Sequence, residues 1–150
     1  MVGKQRIYLD NCCYNRPYDD QLYETIRLEA EAKLYIQNGI RNGKIELVWS
    51  FIVDFENSVN PYEEQKETIK EWKKVAVDNV KAGETVRNYA KKLENDYVIK
   101  PKDALHLACA IQSKCNYFLT TDRVLLKKAL RLSEIIAINP IDFVIVWEGK

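Results

Sequence analysis

The stretch DALHLACAIQSKCNYFLTTDRVLLKKA, from Asp103 to Ala129, carries the clearest structural signal in the chain. Its pattern predicts a helix from about Lys102 to Ser113, a short strand at Tyr117–Thr120 that leads to Asp122, and a helix at Val124–Leu130. Apolar residues cover nearly the whole circumference of the first helix, which is typical of a helix buried against a sheet. This part of the chain therefore predicts a helix–strand–helix unit of an α/β domain.

The same alternation of strands and helices extends over the rest of the sequence. Asn11–Pro17 is interpreted as a turn because Asn-Arg-Pro stops a strand, and Ile141–Trp147 is either a strand or a terminal helical turn. Further strands are predicted at Arg6–Leu9, Ile45–Trp49 and Ile135–Ile138, and further helices from Asp19 to about Gly39, Ser50 to Asn57, Tyr62 to Val77 and Glu84 to Asn95. We therefore expect an α/β fold with a central, mainly parallel sheet of four to five short strands and helices on both faces.

Length and composition fit one domain spanning residues 1–150, because 47% of the residues are hydrophobic and a chain of this size can form its own core. The 23 basic and 22 acidic residues give no charge signal for or against nucleic acid. The four cysteines match no zinc, CxxC or disulfide spacing, so we expect reduced thiols and a cytoplasmic protein. No segment approaches the roughly 20 apolar residues that cross a bilayer, so no membrane association is expected.

Three carboxylates are predicted to meet at one edge of the sheet. Asp10 and Asp122 each follow an apolar strand, and ligand sites of parallel α/β sheets lie beyond the carboxyl ends of the strands. Either residue can equally serve as a turn residue or a helix N-cap. Asp103 lies in the first turn of the buried helix, where compensation of the helix dipole is the alternative role.

The fourth carboxylate is either Asp54 or Glu56. Stepping about 100° per residue from Phe51 places Phe55 at roughly 40° and Glu56 at roughly 140°, beside the apolar face, with Asp54 near roughly 300°. Glu56 is therefore predicted to point inward and Asp54 to face solvent.

Four carboxylates in one cleft repel one another, so the arrangement requires a cation, and ligation by oxygen alone favours Mg²⁺ or Mn²⁺ over zinc. Such a site suits phosphodiester hydrolysis, in which the metal activates a water and neutralises charge on the phosphate. His106 follows Asp103 by three residues on the same helix and can reach the site. We interpret His106 as structural, because carboxylates and water are the better ligands for these ions.

The residues of this site resemble those of the PIN domain family. The stretch from Asp103 to Ala129 resembles the C-terminal half of a PIN domain, IYLDN (7–11) its first strand with the catalytic Asp, and SFIVDFEN (50–57) the segment with its Glu. The resemblance covers nearly the whole chain in the correct order. It implies that the catalytic and metal-binding quartet consists of Asp10, Glu56, Asp103 and Asp122.

Many members of that family are VapC-type toxins, which are metal-dependent endoribonucleases that form homodimers and are inhibited by a cognate antitoxin. The resemblance implies the same activity and the same kinds of partner for this chain. Thr120 or Thr121 would then orient a water or phosphate, and Asn11 could do the same beside Asp10. Within the Asn15–Gln21 insertion, Arg16 can contact phosphate, although a solvated loop is the alternative reading. The predicted partners are thus RNA, an antitoxin and a second copy of the chain.

Three other functions compete with this interpretation. A PIN-like module that binds RNA or protein without cutting would be expected to lack one or more of the four acids. A phosphatase or phosphotransfer domain with Asp10 as nucleophile would be expected to carry a second Asp where Cys12 stands. A purely structural interaction protein would not bind metal.

Overall fold

Strands alternate with helices throughout residues 4–149, the part of the chain that the computed structural model describes; residues 1–3 and 150 of the predicted domain lie outside it. The strands are β1 (Gln5–Leu9), β2 (Ile45–Ser50), β3 (Asp78–Val80), β4 (Tyr117–Leu119) and β5 (Ile136–Ile138). The helices are α1 (Asn11–Asn15), α2 (Glu24–Arg41), α3 (Phe51–Ser58), α4 (Glu63–Lys70), α5 (Trp72–Val75), α6 (Glu84–Tyr97), α7 (Pro101–Gln112), α8 (Arg123–Ala129) and α9 (Pro140–Gly149), with a 3₁₀ turn at Arg16–Tyr18. None of the helices in this range is both long and apolar enough to span a membrane.

The strands form one sheet in the order β3-β2-β1-β4-β5, and every neighbouring pair is parallel. The consecutive residues Ile7, Tyr8 and Leu9 of the central strand are all buried. Because successive side chains of a strand point to opposite faces, helices must cover both faces of the sheet. The predicted α/β fold class is confirmed, and the carboxyl ends of β1, β2 and β4 lie along one edge.

The segment after β1 is helical, so the predicted turn at Asn11–Pro17 was wrong. Asp10 caps α1 by accepting a hydrogen bond from the Asn11 N–H at 2.7 Å, and the helix buries Cys13 and Tyr14. The Asn-Arg-Pro sequence ends the helix rather than preventing it, because Pro17 is accommodated in the 3₁₀ turn that follows.

Two other boundaries differ from the sequence prediction. Helix α2 begins at Glu24 rather than Asp19, because the Leu22 N–H donates to Asp20 Oδ1 at 3.0 Å in a local Asp turn. The predicted helix from Tyr62 to Val77 is divided into α4 and α5, and the short edge strand β3 that follows was not predicted.

The last segment is a helix, which settles the two alternatives left for Ile141–Trp147. Pro140 occupies the first helical position, where its missing N–H and fixed φ favour the start of a helix. The Phe143 side chain is fully buried against the ring of Tyr117 at the start of β4, with ring centroids 5.2 Å apart. Helix α9 therefore covers the amino-terminal end of the strands, away from the predicted carboxylate site.

Candidate metal centre

Asp10 stands at the end of the central strand and is held on both carboxylate oxygens. Oδ1 accepts the Asn11 N–H as the cap of α1, and Oδ2 accepts the Thr120 hydroxyl at 2.8 Å. The Asp10 N–H donates to the Leu119 carbonyl at 2.9 Å. The capping role is therefore real, and it fixes the carboxylate at the junction of β1 and β4.

Glu56 reaches this carboxylate from α3 through His106 of α7. Ser50 caps α3 by accepting the Val53 N–H at 3.4 Å, as predicted. The Glu56 carboxylate contacts Nε2 of His106, and the same nitrogen lies 3.7 Å from Asp10 Oδ1. One ligand atom from each of Asp10, Glu56 and His106 lies within 4.8 Å of the other two.

His106 is only 1% exposed. Its other ring nitrogen, Nδ1, has a hydrogen-bond partner of its own. The hydroxyl of Tyr8 lies 2.6 Å from Nδ1 of His106 and 2.6 Å from Oγ of Ser50. Burial raises the pKa of the Tyr8 hydroxyl well above its usual value, so this group stays protonated. The imidazole is thus fixed in orientation, with Nε2 directed at the two carboxylates.

The helical phase used for α3 gave the right inward residue for an incorrect reason. Phe55, assigned to the apolar face, is 55% exposed, whereas Val53 and Asn57 are buried. The expectation that Asp54 faces solvent was wrong, since it is half-buried and accepts from Nε1 of Trp49 at 2.8 Å. Asp54 also pairs with Lys73 at 3.1 Å, so it belongs to a structural contact away from Asp10.

Asp103 and Asp122 lie beside this group rather than in it. Together with Lys100 and Lys128 they line a small cavity of about 100 Å³. Asp122 caps α8, with Oδ1 accepting the N–H groups of the next turn at 2.9 and 3.1 Å. The pKa of Asp103 is raised, first by burial and then by the negative charges of Asp10 and Asp122. Asp10, Asp103 and Asp122 therefore share one electrostatic environment.

The polar residues expected to contact substrate occupy different positions. Asn11 lines a cavity of about 610 Å³ with Glu56, and its buried Oδ1 has no hydrogen-bond partner in the described structure. Thr120 is fully buried, and its hydroxyl donates to Asp10 and accepts the Asp122 N–H at 3.2 Å. Thr120 thus orients the Asp10 carboxylate and fixes the backbone of Asp122.

Thr121 and Arg16 line a separate cavity of about 320 Å³. The Arg16 guanidinium donates to Asp19 at 2.9 Å, and its Nε lies 2.9 Å from Glu29. Two carboxylates already balance its charge.

Sequence reasoning missed Tyr8 and Ser50. Tyr8 lies two residues before Asp10 on β1, so it shares a sheet face with it, and this period-2 spacing was the available signal. No sequence pattern indicates that its hydroxyl meets a histidine almost a hundred residues away.

The donor set fits a divalent cation. Two carboxylates and an imidazole present ligand atoms within one ion's reach, and they stand beside further carboxylates and the unpartnered Asn11 oxygen. The centre lies beyond the carboxyl ends of the strands of a parallel α/β sheet, where such folds bind their ligands. Fold and site thus define a parallel α/β domain with a potential divalent-metal site.

Comparison with known families gives the particular class. A model of the PIN domain family matches residues 28–132, which is well over half of the chain, and this chain belongs to that family. The match includes Glu56, Asp103 and Asp122, and Asp10 lies before it. PIN domains are generally nucleases.

A solved structure shares the fold. It is the crystal structure of VapBC2 from Rickettsia felis bound to a DNA fragment from their promoter, with a TM-score of 0.56 and 15% sequence identity over 90% of this chain and 98% of that one. No curated protein matches the sequence significantly.

Proposed function

We propose that this protein is a divalent-metal-dependent endoribonuclease that hydrolyses RNA phosphodiester bonds. The observation that carries the proposal is the meeting of Asp10 and Glu56 beyond the strand ends in a chain of the PIN domain family. The chain retains an acid at each of the four predicted positions, which favours a nuclease over a module that binds without cutting.

The residues that would hold Mg²⁺ or Mn²⁺ are Asp10, Glu56, Asp103 and Asp122. When bound, such a cation activates water for attack and neutralises charge on the phosphate oxygens. The Thr120 hydroxyl and the Asn11 N–H hold the Asp10 carboxylate in place, so the protein would supply a pre-oriented metal ligand.

Single-stranded RNA is the ligand that we assign to the cavity beside Glu56. The unpartnered oxygen of Asn11 requires a donor, and a ribose 2′-hydroxyl is one that DNA lacks. Tyr18 and Tyr62 line the same cavity and are exposed, so their rings are available to stack on bases. We assign a substrate-binding role first to Asn11, then to Thr121 and last to Arg16. Arg16 is placed last because its guanidinium must first exchange a carboxylate partner for a phosphate of the RNA.

The proposal includes a toxin–antitoxin setting. Its support is the fold shared with a VapBC2 complex. A protein antitoxin and a homodimer are the expected partners, and the cytoplasm is the expected location. Sedimentation equilibrium of the purified chain tests the dimer, and a sedimentation mass equal to one chain at micromolar concentration would contradict it.

The decisive experiment is cleavage of a mixed RNA panel by the purified protein with Mg²⁺ or Mn²⁺. We expect cleavage that EDTA, Asp10→Asn and Glu56→Gln each reduce below detection, while the single-stranded DNA of the same sequence stays intact. Asp54→Asn is the matched control, because Asp54 lies on the same helix outside the centre. Cleavage that survives EDTA and Asp10→Asn would overturn the proposal, and RNA binding without cleavage in either metal would favour the non-cutting module.

A further inference from the structure

We propose that Nε2 of His106 is itself a ligand of the metal and that the hydroxyls of Tyr8 and Ser50 hold the imidazole in the ligating tautomer. This inference rests on the proposed metal site and deepens it. It also reverses the structural role that the sequence suggested for His106.

The position of Nε2 is the first argument. It lies against the Glu56 carboxylate and 3.7 Å from Asp10, so it occupies the space that a cation shared by these two carboxylates would border. Asp10, Glu56 and His106 are the one group of potential ligands in residues 4–149 whose atoms are this close. A nitrogen so placed either donates a proton to Glu56 or binds the ion.

The hydroxyl pair behind the ring permits both states. When Tyr8 donates to Nδ1, the proton of the neutral ring is on Nε2 and is donated to Glu56. When Nδ1 donates to the Tyr8 oxygen, Tyr8 donates to Oγ of Ser50 and Nε2 presents a lone pair. Both states are neutral and contain the same number of protons. Binding a cation therefore requires no net loss of a proton, but the ring proton must pass from Nε2 to Nδ1, through solvent, as the hydrogen bonds to Tyr8 and Ser50 reverse.

Ser50 is able to accept the Tyr8 proton in the ligating state. Its oxygen has two acceptor lone pairs, of which the Val53 N–H uses one. The second lone pair is available to the Tyr8 hydroxyl, 2.6 Å away. In a metal-binding histidine, the ring nitrogen that does not bind the metal usually donates to a hydrogen-bond acceptor, which fixes the tautomer. The Tyr8 oxygen would be that acceptor for Nδ1 of His106.

The inference changes the expected metal preference. A mixed ligand set of carboxylates and one imidazole favours Mn²⁺, Co²⁺ or Zn²⁺ over Mg²⁺, because imidazole suits transition metals better. We therefore expect the wild-type protein to bind Mn²⁺ more tightly than Mg²⁺, and His106→Gln to narrow that difference.

Pulsed electron paramagnetic resonance of Mn²⁺ bound to the tag-free, full-length protein tests the ligand directly. The chain contains one histidine, so any imidazole signal belongs to His106. We expect nitrogen couplings that change from the ¹⁴N to the ¹⁵N pattern when only histidine is labelled with ¹⁵N. This measurement requires no variant, so it does not depend on the folding of a substituted protein.

Two variants separate ligation from positioning. His106→Gln keeps an amide donor near Glu56 but should lose the nitrogen coupling and weaken Mn²⁺ binding about 10-fold or more. Tyr8→Phe should keep the coupling and weaken Mn²⁺ binding about 10-fold, because the ring loses the partner that orients it. Mn²⁺ binding by Tyr8→Phe as tight as that of the wild type would contradict the positioning role of Tyr8.

The outcomes for this inference and for the proposed function are distinct. Mn²⁺ bound in a manner that Asp10→Asn abolishes, without nitrogen coupling, would overturn the ligand role of His106 and leave the nuclease proposal standing. Imidazole-coupled Mn²⁺ in a protein that cleaves no RNA would support the ligand role and overturn the nuclease. Absence of Mn²⁺ binding at millimolar concentration would overturn both.

Discussion

Lys33 of α2 is buried without a carboxylate partner in the part of the chain described by the structure. Its ammonium lies 5.5 Å from the ring centroid of Tyr14 and 5.6 Å from that of Trp72. Burial lowers the pKa of Lys33 from its usual value to about 8. Two aromatic faces thus partly replace the water that the charge has lost.

Lys33→Met should stabilise the protein at neutral pH by about 1 kcal/mol, because the cost of burying the charge exceeds the lost contacts with the two rings. Above pH 8 folded Lys33 is neutral while the unfolded chain keeps its proton up to about pH 10.4. The wild-type free energy of unfolding should therefore gain from this group between pH 8 and 10, and the variant should lack that gain.

Urea unfolding at pH 7 and pH 9.5 measures the difference for Lys33. Lys92→Met, at an exposed position, is the control and should keep the wild-type pH dependence. Equal pH dependence in Lys33→Met and wild type would show that Lys33 is not the titrating group.

At the scale of single residues, the sequence predicted the inward positions of Asp10 and Glu56 better than it predicted the contacts that hold them there. Asp10 was predictable from the end of a strand, and Glu56 was chosen although Phe55 was placed on the wrong face. The sequence-based interpretation of His106 as structural rested only on the ligand preferences of Mg²⁺ and Mn²⁺. Its contact with Tyr8 could not be predicted because it arises only when α7 packs on β1.

Asp122 caps helix α8 and also carries a negative charge beside the candidate metal centre. Two different substitutions can separate these roles. Its Oδ1 caps α8, and its charge acts on Asp103. Asp122→Asn should preserve the cap and leave the urea midpoint nearly unchanged, but abolish RNA cleavage. Asp122→Ala should also lose about 1 kcal/mol of stability. Cleavage by Asp122→Asn at the wild-type rate would show that the charge is not needed.

Helix α2 approaches β2 and α9 closely at Gly39. A Cβ there would lie 2.6 Å from Cδ1 of Ile45 and 3.1 Å from the ring of Trp147. Gly39→Ala should therefore destabilise the protein by about 1–3 kcal/mol, despite the better helix propensity of alanine. Thermal and urea unfolding measure the loss. Gly149→Ala, with open space around it, should have no effect, and an equal loss in both variants would refute the steric explanation.

Elements with long periodic patterns were predictable, whereas elements formed by a few tertiary contacts were not. Helix α7 follows its sequence pattern within a residue or two at each end. Strand β3 has three residues and exists because it pairs with Val48–Ser50 of β2, which no local pattern reveals. Helix α1 is stabilised by burial of Cys13 and Tyr14 beneath the sheet edge, so a segment rich in turn formers becomes helical.

For the whole molecule, the charged form of Asp103 is destabilising in the metal-free protein. The raised pKa of Asp103 means that its charged form is disfavoured in the fold, so this penalty grows as pH rises through that pKa and is present at pH 7. Asp103→Asn should therefore raise the melting temperature of the metal-free protein slightly.

Bound Mn²⁺ should make the wild-type protein more stable than Asp103→Asn. At about 100 times its dissociation constant it should stabilise the wild type by about 2.7 kcal/mol, or roughly 5–10 °C, and Asp103→Asn by much less. Differential scanning fluorimetry with and without Mn²⁺ measures both shifts, with Asp54→Asn as a control that should respond like the wild type. Equal Mn²⁺ shifts in Asp103→Asn and wild type would exclude Asp103 from the site.

The order of the strands also governs when the candidate metal centre forms in a newly made chain. Among the five strands, β1 is synthesised first, its neighbour β2 and then β3 follow, and its other neighbour β4 and the edge strand β5 come last. The Thr120 hydroxyl that fixes Asp10 is separated from it by 110 residues. Long-range parallel pairing of this kind is slow to form. The candidate metal centre therefore assembles only after β4 and Thr120 have been synthesised and have paired with β1.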